Sequence, residues 1–154
     1  MKTPAPFDLA HAPGHLIRRA QQIAVAEFVR ATTGHDVTPV QFAFMNAMRD
    51  TPGLDQITLA NRVAFDAATS GSVIGRLEAK GWVRREADEH DRRRKLLYVT
   101  EQGAAACSAM TAAVEQAQQS FLSTLPAKDQ AVFMRLLAQL VAGHEANAAT
   151  GRGS

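Results

Sequence analysis

Between Arg76 and Lys95 the chain places eight of its 17 lysines and arginines: Arg76, Lys80, Arg84, Arg85, Arg92, Arg93, Arg94 and Lys95. Just upstream, Thr69, Ser70 and Ser72 add hydroxyls within two helical turns of Arg76. Hydroxyl and guanidinium groups on one helix face suit base edges in a major groove, while clustered arginines suit phosphates or a narrow minor groove. A solvated charge run is the bland reading of an isolated Arg-Arg-Arg-Lys. The helix directly before it favours nucleic acid.

A second group lies near the start, in HAPGHLIRRAQQ. His15, Arg18 and Arg19 fall within one or two turns, with His11 just ahead, and could hold a carboxylate, with Phe42, Phe44, Met45 and Met48 of the second helix as the apolar end for a ring. The alternative leaves both arginines solvated and the histidines incidental.

Catalytic patterns are missing. There is no nucleophile turn, phosphate-binding glycine loop, zinc-protease helix or dinucleotide fingerprint, and His35, His90 and His144 show no metal-ligand spacing with Cys or acid. Neither an enzyme, a metal nor a cofactor is expected. The single cysteine, Cys107, excludes an intrachain disulfide framework and favours a reducing compartment. With no signal-like start and no membrane-length apolar run, the chain is placed in the cytoplasm, away from membranes. Its net charge of +2 is modest, so the basic character is a local patch and not a general coating.

Asp66 can cap a helix that ends at Gly81 and turns Val73, Ile74 and Leu77 inward, leaving Thr69, Ser72 and Arg76 outside. Upstream, Leu54–Phe65 reads as a shorter helix capped by Asp55, joined to the next by a tight connection. Trp82–Ala87 and Lys95–Thr100 favour extended backbone, with a charged loop at Asp88–Arg94. Two short helices and a hairpin make a winged helix-turn-helix. Gly71 and Gly75 cost about 1 kcal/mol each inside a helix. Either close helix packing or close backbone approach to DNA would account for them.

At this point the chain resembles the MarR family of bacterial transcriptional regulators. The strongest match is KGWVRREADEHDRRRKLLYVTEQG, in which Lys80, Gly81, Asp91, Arg93, Leu97, Val99, Thr100 and Gly103 take the pattern's positions. The resemblance covers roughly residues 12–146. Two departures stand out: Gly75 occupies a position that is often acidic and braces a wing arginine, a task left here to Asp91, and Ser72 stands where a basic residue is frequent.

The remaining helices extend this layout. Pro13 starts a helix running to about Thr33, with Leu16, Ile17, Ile23, Ala24 and Phe28 as its stripe. Thr38 and Gln41 form a capping-box start to a second helix ending near Asp50. Thr100 caps a long Ala-rich helix that breaks near Ser123–Pro126, and a last helix, about Ala127–Asn147, carries Val132, Phe133, Leu136, Leu137, Leu140 and Val141. The first residues, to about 12, and Ala148–Ser154 are expected to be loose.

The sequence therefore predicts one mainly α domain with a small β-hairpin: a winged helix-turn-helix lobe over 39–100, and a helical dimerisation lobe from 12–34 and 101–147. Three long apolar helices exceed what a lone winged domain needs, so a homodimer is expected. Two-fold symmetry would set its recognition helices about 34–36 Å apart, matching an inverted-repeat operator in double-stranded DNA. The resemblance further implies a repressor released by a small effector, often an aromatic or phenolic acid. DNA contacts are assigned to Thr69, Ser70, Ser72, Arg76, Arg92, Arg93 and Arg94. Two rival readings remain: a winged module that docks on protein without an operator, and a thiol-based regulator acting through Cys107, which otherwise reads as a small buried residue.

Overall fold

The computed structural model of the chain describes residues 7–151, and the side chains of residues 7–146. Residues 1–6 and 152–154, included in the loose ends expected above, lie outside the described residues.

Helix α1 (Pro13–Ala31) begins with proline in its first turn, where a missing N–H costs nothing, and ends at Thr32, whose hydroxyl donates to the Phe28 carbonyl. Gly34 and Asp36, both at positive φ, turn the chain toward α2 (Pro39–Asp50). The capping box forms in both directions there: Gln41 N–H donates to Thr38 Oγ1 at 3.2 Å, and Thr38 N–H to Gln41 Oε1 at 3.0 Å.

Strand β1 (Leu54–Asp55), α3 (Gln56–Arg62), α4 (Ala67–Ala79), β2 (Val83–Ala87) and β3 (Lys95–Val99) complete the winged lobe. The sheet is antiparallel with order β1-β3-β2. The hairpin thus gains a third strand that no local pattern announces, because two residues carry no periodicity. Gly53 at φ +81° turns the chain so that its N–H donates to the Leu97 carbonyl, and Leu54 then pairs with Leu97.

Phe44, Met45, Met48, Leu59, Ile74, Leu77 and Leu97 are fully buried and make this lobe's core. Each such side chain contributes about 1.5–3 kcal/mol of transfer free energy. A second cluster of Phe28, Val37, Met110 and Val114 ties α1 to α5 (Glu101–Leu122), and Phe42 and Trp82 touch both clusters. The two lobes share packing and do not meet through a linker.

The junction from β3 into α5 is tightly bonded. Thr100 donates its N–H to the Trp82 carbonyl and its hydroxyl to the Gly81 carbonyl, and accepts from Gly103 N–H. A Cβ on Gly103 would lie 2.1 Å from the Trp82 oxygen, so only glycine fits.

Helix α6 runs from Ala127 to Gly151, further than the periodicity suggested, so Ala148–Gly151 continue the helix in place of a loose tail. None of its described side chains is buried. Val132, Met134, Leu136, Leu140 and Val141 remain 43–53% exposed, leaving an apolar face that nothing among the described residues covers.

Candidate nucleic-acid interface

Asp66 caps α4 by accepting from Ala68 N–H and Thr69 N–H, and these bonds, with one from the Thr69 hydroxyl, hold its carboxyl below the usual range. The entry is tight: Ala64 takes φ +51°, Phe65 N–H donates to the Ala60 carbonyl, and the Phe65 ring meets Phe44 edge-on at 5.6 Å. Ile74 and Leu77 lock the inner face of α4. Thr69, Ser72 and Arg76 are exposed along the outer face, as their spacing required.

Ser70 requires a correction. It is 0% exposed and its hydroxyl donates to the Ala67 carbonyl at 2.7 Å. One residue from Thr69 is about 100° of helix rotation, enough to carry it from the outer face into the core. The two glycines separate as well. A Cβ on Gly71 would meet the Gln56 side chain at 3.2 Å, so it serves packing against α3, whereas a Cβ on Gly75 would meet nothing within 4 Å.

Beside α4 stands the wing. Its strands pair from Val83 with Val99 to Ala87 with Lys95. The tip is closed by Asp88 N–H donating to the Arg94 carbonyl and Arg94 N–H to the Asp91 carbonyl. Asp91 Oδ1 also accepts from Arg93 N–H at 3.0 Å, so it braces the Arg93 backbone and leaves the guanidinium outward.

The eight basic residues divide into two sets. Lys80 is paired with Asp36 and lies over the Trp82 ring; Arg84 pairs with Glu86 and lies over Tyr98; Arg85 pairs with Glu78. Arg94 Nη2 reaches Asp55 Oδ2 at 2.7 Å and its Nη1 lies 3.6 Å from Asp88 Oδ2. Arg76, Arg92, Arg93 and Lys95 have no ion-pair partner among the described residues and are exposed. These four, with Thr69 and Ser72, are the candidate contact residues of α4 and the wing.

Asp55, Gln56 and Glu78 were not anticipated at this site. Asp55 caps α3 by accepting from Thr58 N–H; that bond, followed by those from Arg94 and the Thr58 hydroxyl, lowers its carboxyl to about 2 against a desolvation that raises it. Gln56 accepts from Arg85 at 3.4 Å. A cleft of about 550 Å³ lies between the start of α3 and the wing, lined by Gln56, Ile57, Arg85, Arg93 and Lys95 among others. Arg94 and Asp55 are 39 positions apart, which no local spacing rule connects.

At the head of α1, His15 Nδ1 lies 3.3 Å from Arg18 Nη2, His11 bonds Asp8 at 2.7 Å, and Arg19 donates to Gln22. A single chain does not bring these groups to Phe42 and Met45. Phe42 packs edge-on to Phe28 at 5.8 Å, ten residues beyond Arg18 and so about 15 Å along the helix. Phe44, Met45 and Met48 are 0% exposed in the winged-lobe core, which corrects their placement at a ligand-facing end; the pattern placed them on an apolar face but not against which neighbours. The first half of α1 instead borders an apolar groove of about 410 Å³ with Phe121, Phe133 and Leu137. Cys107 is fully buried with its thiol facing Asn46 Oδ1. No group of three or more His, Cys, Asp or Glu among the described residues could hold a metal, and no helix there is long and apolar enough to cross a membrane.

The family model for MarR regulators matches residues 35–94, the span from the end of the α1–α2 turn to the wing tip. The chain is 31% identical over 140 residues to the HTH-type transcriptional repressor NicR of Pseudomonas putida, covering 91% of this chain and 89% of that one. Among solved structures it is similar to the PcaV transcriptional regulator of Streptomyces coelicolor in complex with its natural ligand, at 35% identity and TM-score 0.82, covering 90% of this chain and 98% of that one. It is also similar to Bordetella bronchiseptica BpsR, whose DNA binding is regulated by 6-hydroxynicotinic acid, at 31% identity and TM-score 0.83 over 89% of this chain and 98% of that one. A recognition helix with a polar outer face, an arginine wing beside it and relatives matched over nearly their whole length lead to one conclusion: the chain belongs to the MarR family of transcriptional regulators.

Proposed function

We propose that the protein is a homodimeric, sequence-specific repressor that binds an inverted-repeat operator and is released by a small aromatic carboxylate. The observation that carries the DNA reading is the exposure of Thr69, Ser72 and Arg76 along the outer face of α4 together with that of Arg92 and Arg93 on the wing. The helix face suits base edges, and the wing suits backbone or minor groove. Gly75 supports it: an open glycine in mid-helix has no packing reason among the described residues, and a bare backbone permits close approach to DNA.

The uncovered seam of α6 supports the dimer, since a patch of this apolar character is favourable only when covered. A second copy whose α1 approached Phe42 would also complete the effector site that one chain leaves divided. His15 and Arg18 supply the carboxylate end, and 6-hydroxynicotinic acid, which regulates BpsR, has the same chemistry of ring and carboxylate. Release requires the effector to favour one lobe spacing over another; tenfold weaker DNA binding takes about 1.4 kcal/mol of differential affinity.

The test is a fluorescence titration with DNA from upstream of its own gene, at two salt concentrations, with and without aromatic acids. Tight, steeply salt-dependent binding that one acid releases is the expected result. Binding no tighter than to random DNA at both salts would favour the protein-docking reading.

A further inference from the structure

Arg94, its side chain half exposed, is the one wing-tip arginine with ion-pair partners among the described residues. Its guanidinium lies between two carboxylates that are only 19% and 14% exposed, those of Asp55 and Asp88. Its backbone is held as well, through the Asp88 N–H and the Asp91 carbonyl. Asp55 is itself anchored, because both its oxygens accept from Thr58 at 2.9 Å while capping α3. One residue therefore joins the most distal part of the wing to the first turn of the helix that packs beneath α4.

We propose that Arg94 is a positioning residue for DNA binding, clamping the wing tip to the α3 cap through Asp55 and Asp88 so that Arg92, Arg93 and Lys95 are presented at a set distance from α4. This rests on the DNA-binding reading above and adds to it a division of labour within Arg92–Lys95. An arginine that donates to Asp55 and lies within ion-pair distance of Asp88 has its charge largely compensated within the protein, while its neighbours have no ion-pair partner among the described residues. A wing tip without this tether would be held to the lobe only further down, through the strands and the Arg85 contacts to Glu78 and Gln56, and would lose orientation entropy on docking. The clamp removes that cost beforehand.

Asp55→Asn separates positioning from direct contact by the sign of its effect. Asparagine caps a helix about as well as aspartate, so α3 is kept while the charge is lost. If Arg94 bound phosphate directly, removing an acid beside it would leave DNA binding unchanged or tighten it. The clamp instead requires Asp55→Asn and Arg94→Gln each to weaken binding to the upstream DNA by about threefold to tenfold. The double variant should lose no more than either single, and the dependence of log K on log salt should keep its slope in all three. Amide hydrogen exchange without DNA gives an independent reading: both singles should speed exchange at Asp88 and Arg94, whose N–H groups close the tip. The proposal is overturned by unchanged tip exchange in Asp55→Asn, by binding that tightens or holds in that variant, or by a slope that flattens by about 1.8 in Arg94→Gln, as for one phosphate per protomer. Should wild-type protein fail to distinguish the upstream DNA, the operator reading fails on its own and the exchange measurement still decides the clamp.

Discussion

Replacing Gly103 by alanine tests the junction that packs the start of α5 against the backbone just after α4. An alanine inside a helix ordinarily gains about 1 kcal/mol over glycine through the unfolded state and helix propensity. Here the added Cβ would stand 2.1 Å from the Trp82 oxygen and 2.9 Å from its carbonyl carbon and Cα, all backbone atoms. The carbonyl cannot swing aside freely, since it accepts the Thr100 N–H at 2.9 Å. Helix α5 must therefore shift by roughly 1 Å or more, a typical overpacking cost being about 1–3 kcal/mol. That shift also pulls Gly103 N–H from Thr100 Oγ1, and losing an N-cap costs about 0.5–2 kcal/mol. Taking the upper part of the first range because the overlap is with backbone, the net expectation is about 2–4 kcal/mol of destabilisation. Urea unfolding at one fixed protomer concentration would read it as a lower midpoint at unchanged slope. Gly75→Ala, with open space around its Cβ, is the matched control and should move the midpoint upward. A Gly103→Ala protein as stable as wild type would refute the steric reasoning.

The other predictions concern the site. Gly75→Ala should raise stability by up to about 1 kcal/mol and yet weaken operator binding, opposite signs that a thermal melt and a DNA titration measure separately; binding left intact would remove Gly75 from the DNA-facing surface. Arg93→Ala should leave the dimer intact by ultracentrifugation and reduce the salt slope by about 1.8 for two wings, whereas an unchanged slope would mean that Arg93 meets no phosphate. Arg18→Ala should abolish release by an aromatic acid while operator affinity without effector stays the same, and a full response would exclude it from the effector site. Asp55 has a folded value of about 2 against an ordinary 3.8, so its stabilising contribution is present above about pH 4 and disappears as pH falls through about 2. Acid titration of wild type against Asp55→Asn should show the stability difference closing over that window; a constant difference would mean that the charge of Asp55 does not stabilise the fold.

Much of this fold is written locally. Asp55, Asp66, Thr38 with Gln41, and Thr100 each cap the helix that follows them, and Gly81 takes the positive φ that ends α4. Caps and helix stops act over three or four residues, so the chain states them without its tertiary context. The same holds for the faces of α4, since Ile74 and Leu77 recur at helical spacing opposite Thr69, Ser72 and Arg76. Ser70 escaped because hydroxyl chemistry says nothing about which side of a helix edge a residue takes.

What the sequence could not determine involves partners distant along the chain. Which basic side chains are ion-paired depends on where Asp36, Glu78 and Asp55 come to lie, and Lys80 and Asp36 are 44 positions apart. Charge counting makes Arg92, Arg93 and Arg94 equivalent; the fold commits Arg94 to carboxylates and leaves the other two exposed. Strand β1 exists only because Leu97 waits beside it, and Arg18 and Phe42 are kept apart by the rise of α1. Local rules decided the elements because their energies are local. Pairing between elements, and with it the division of the basic cluster into ion-paired and open side chains, was decided by tertiary packing, since an ion pair depends on distance in space and not on separation along the chain.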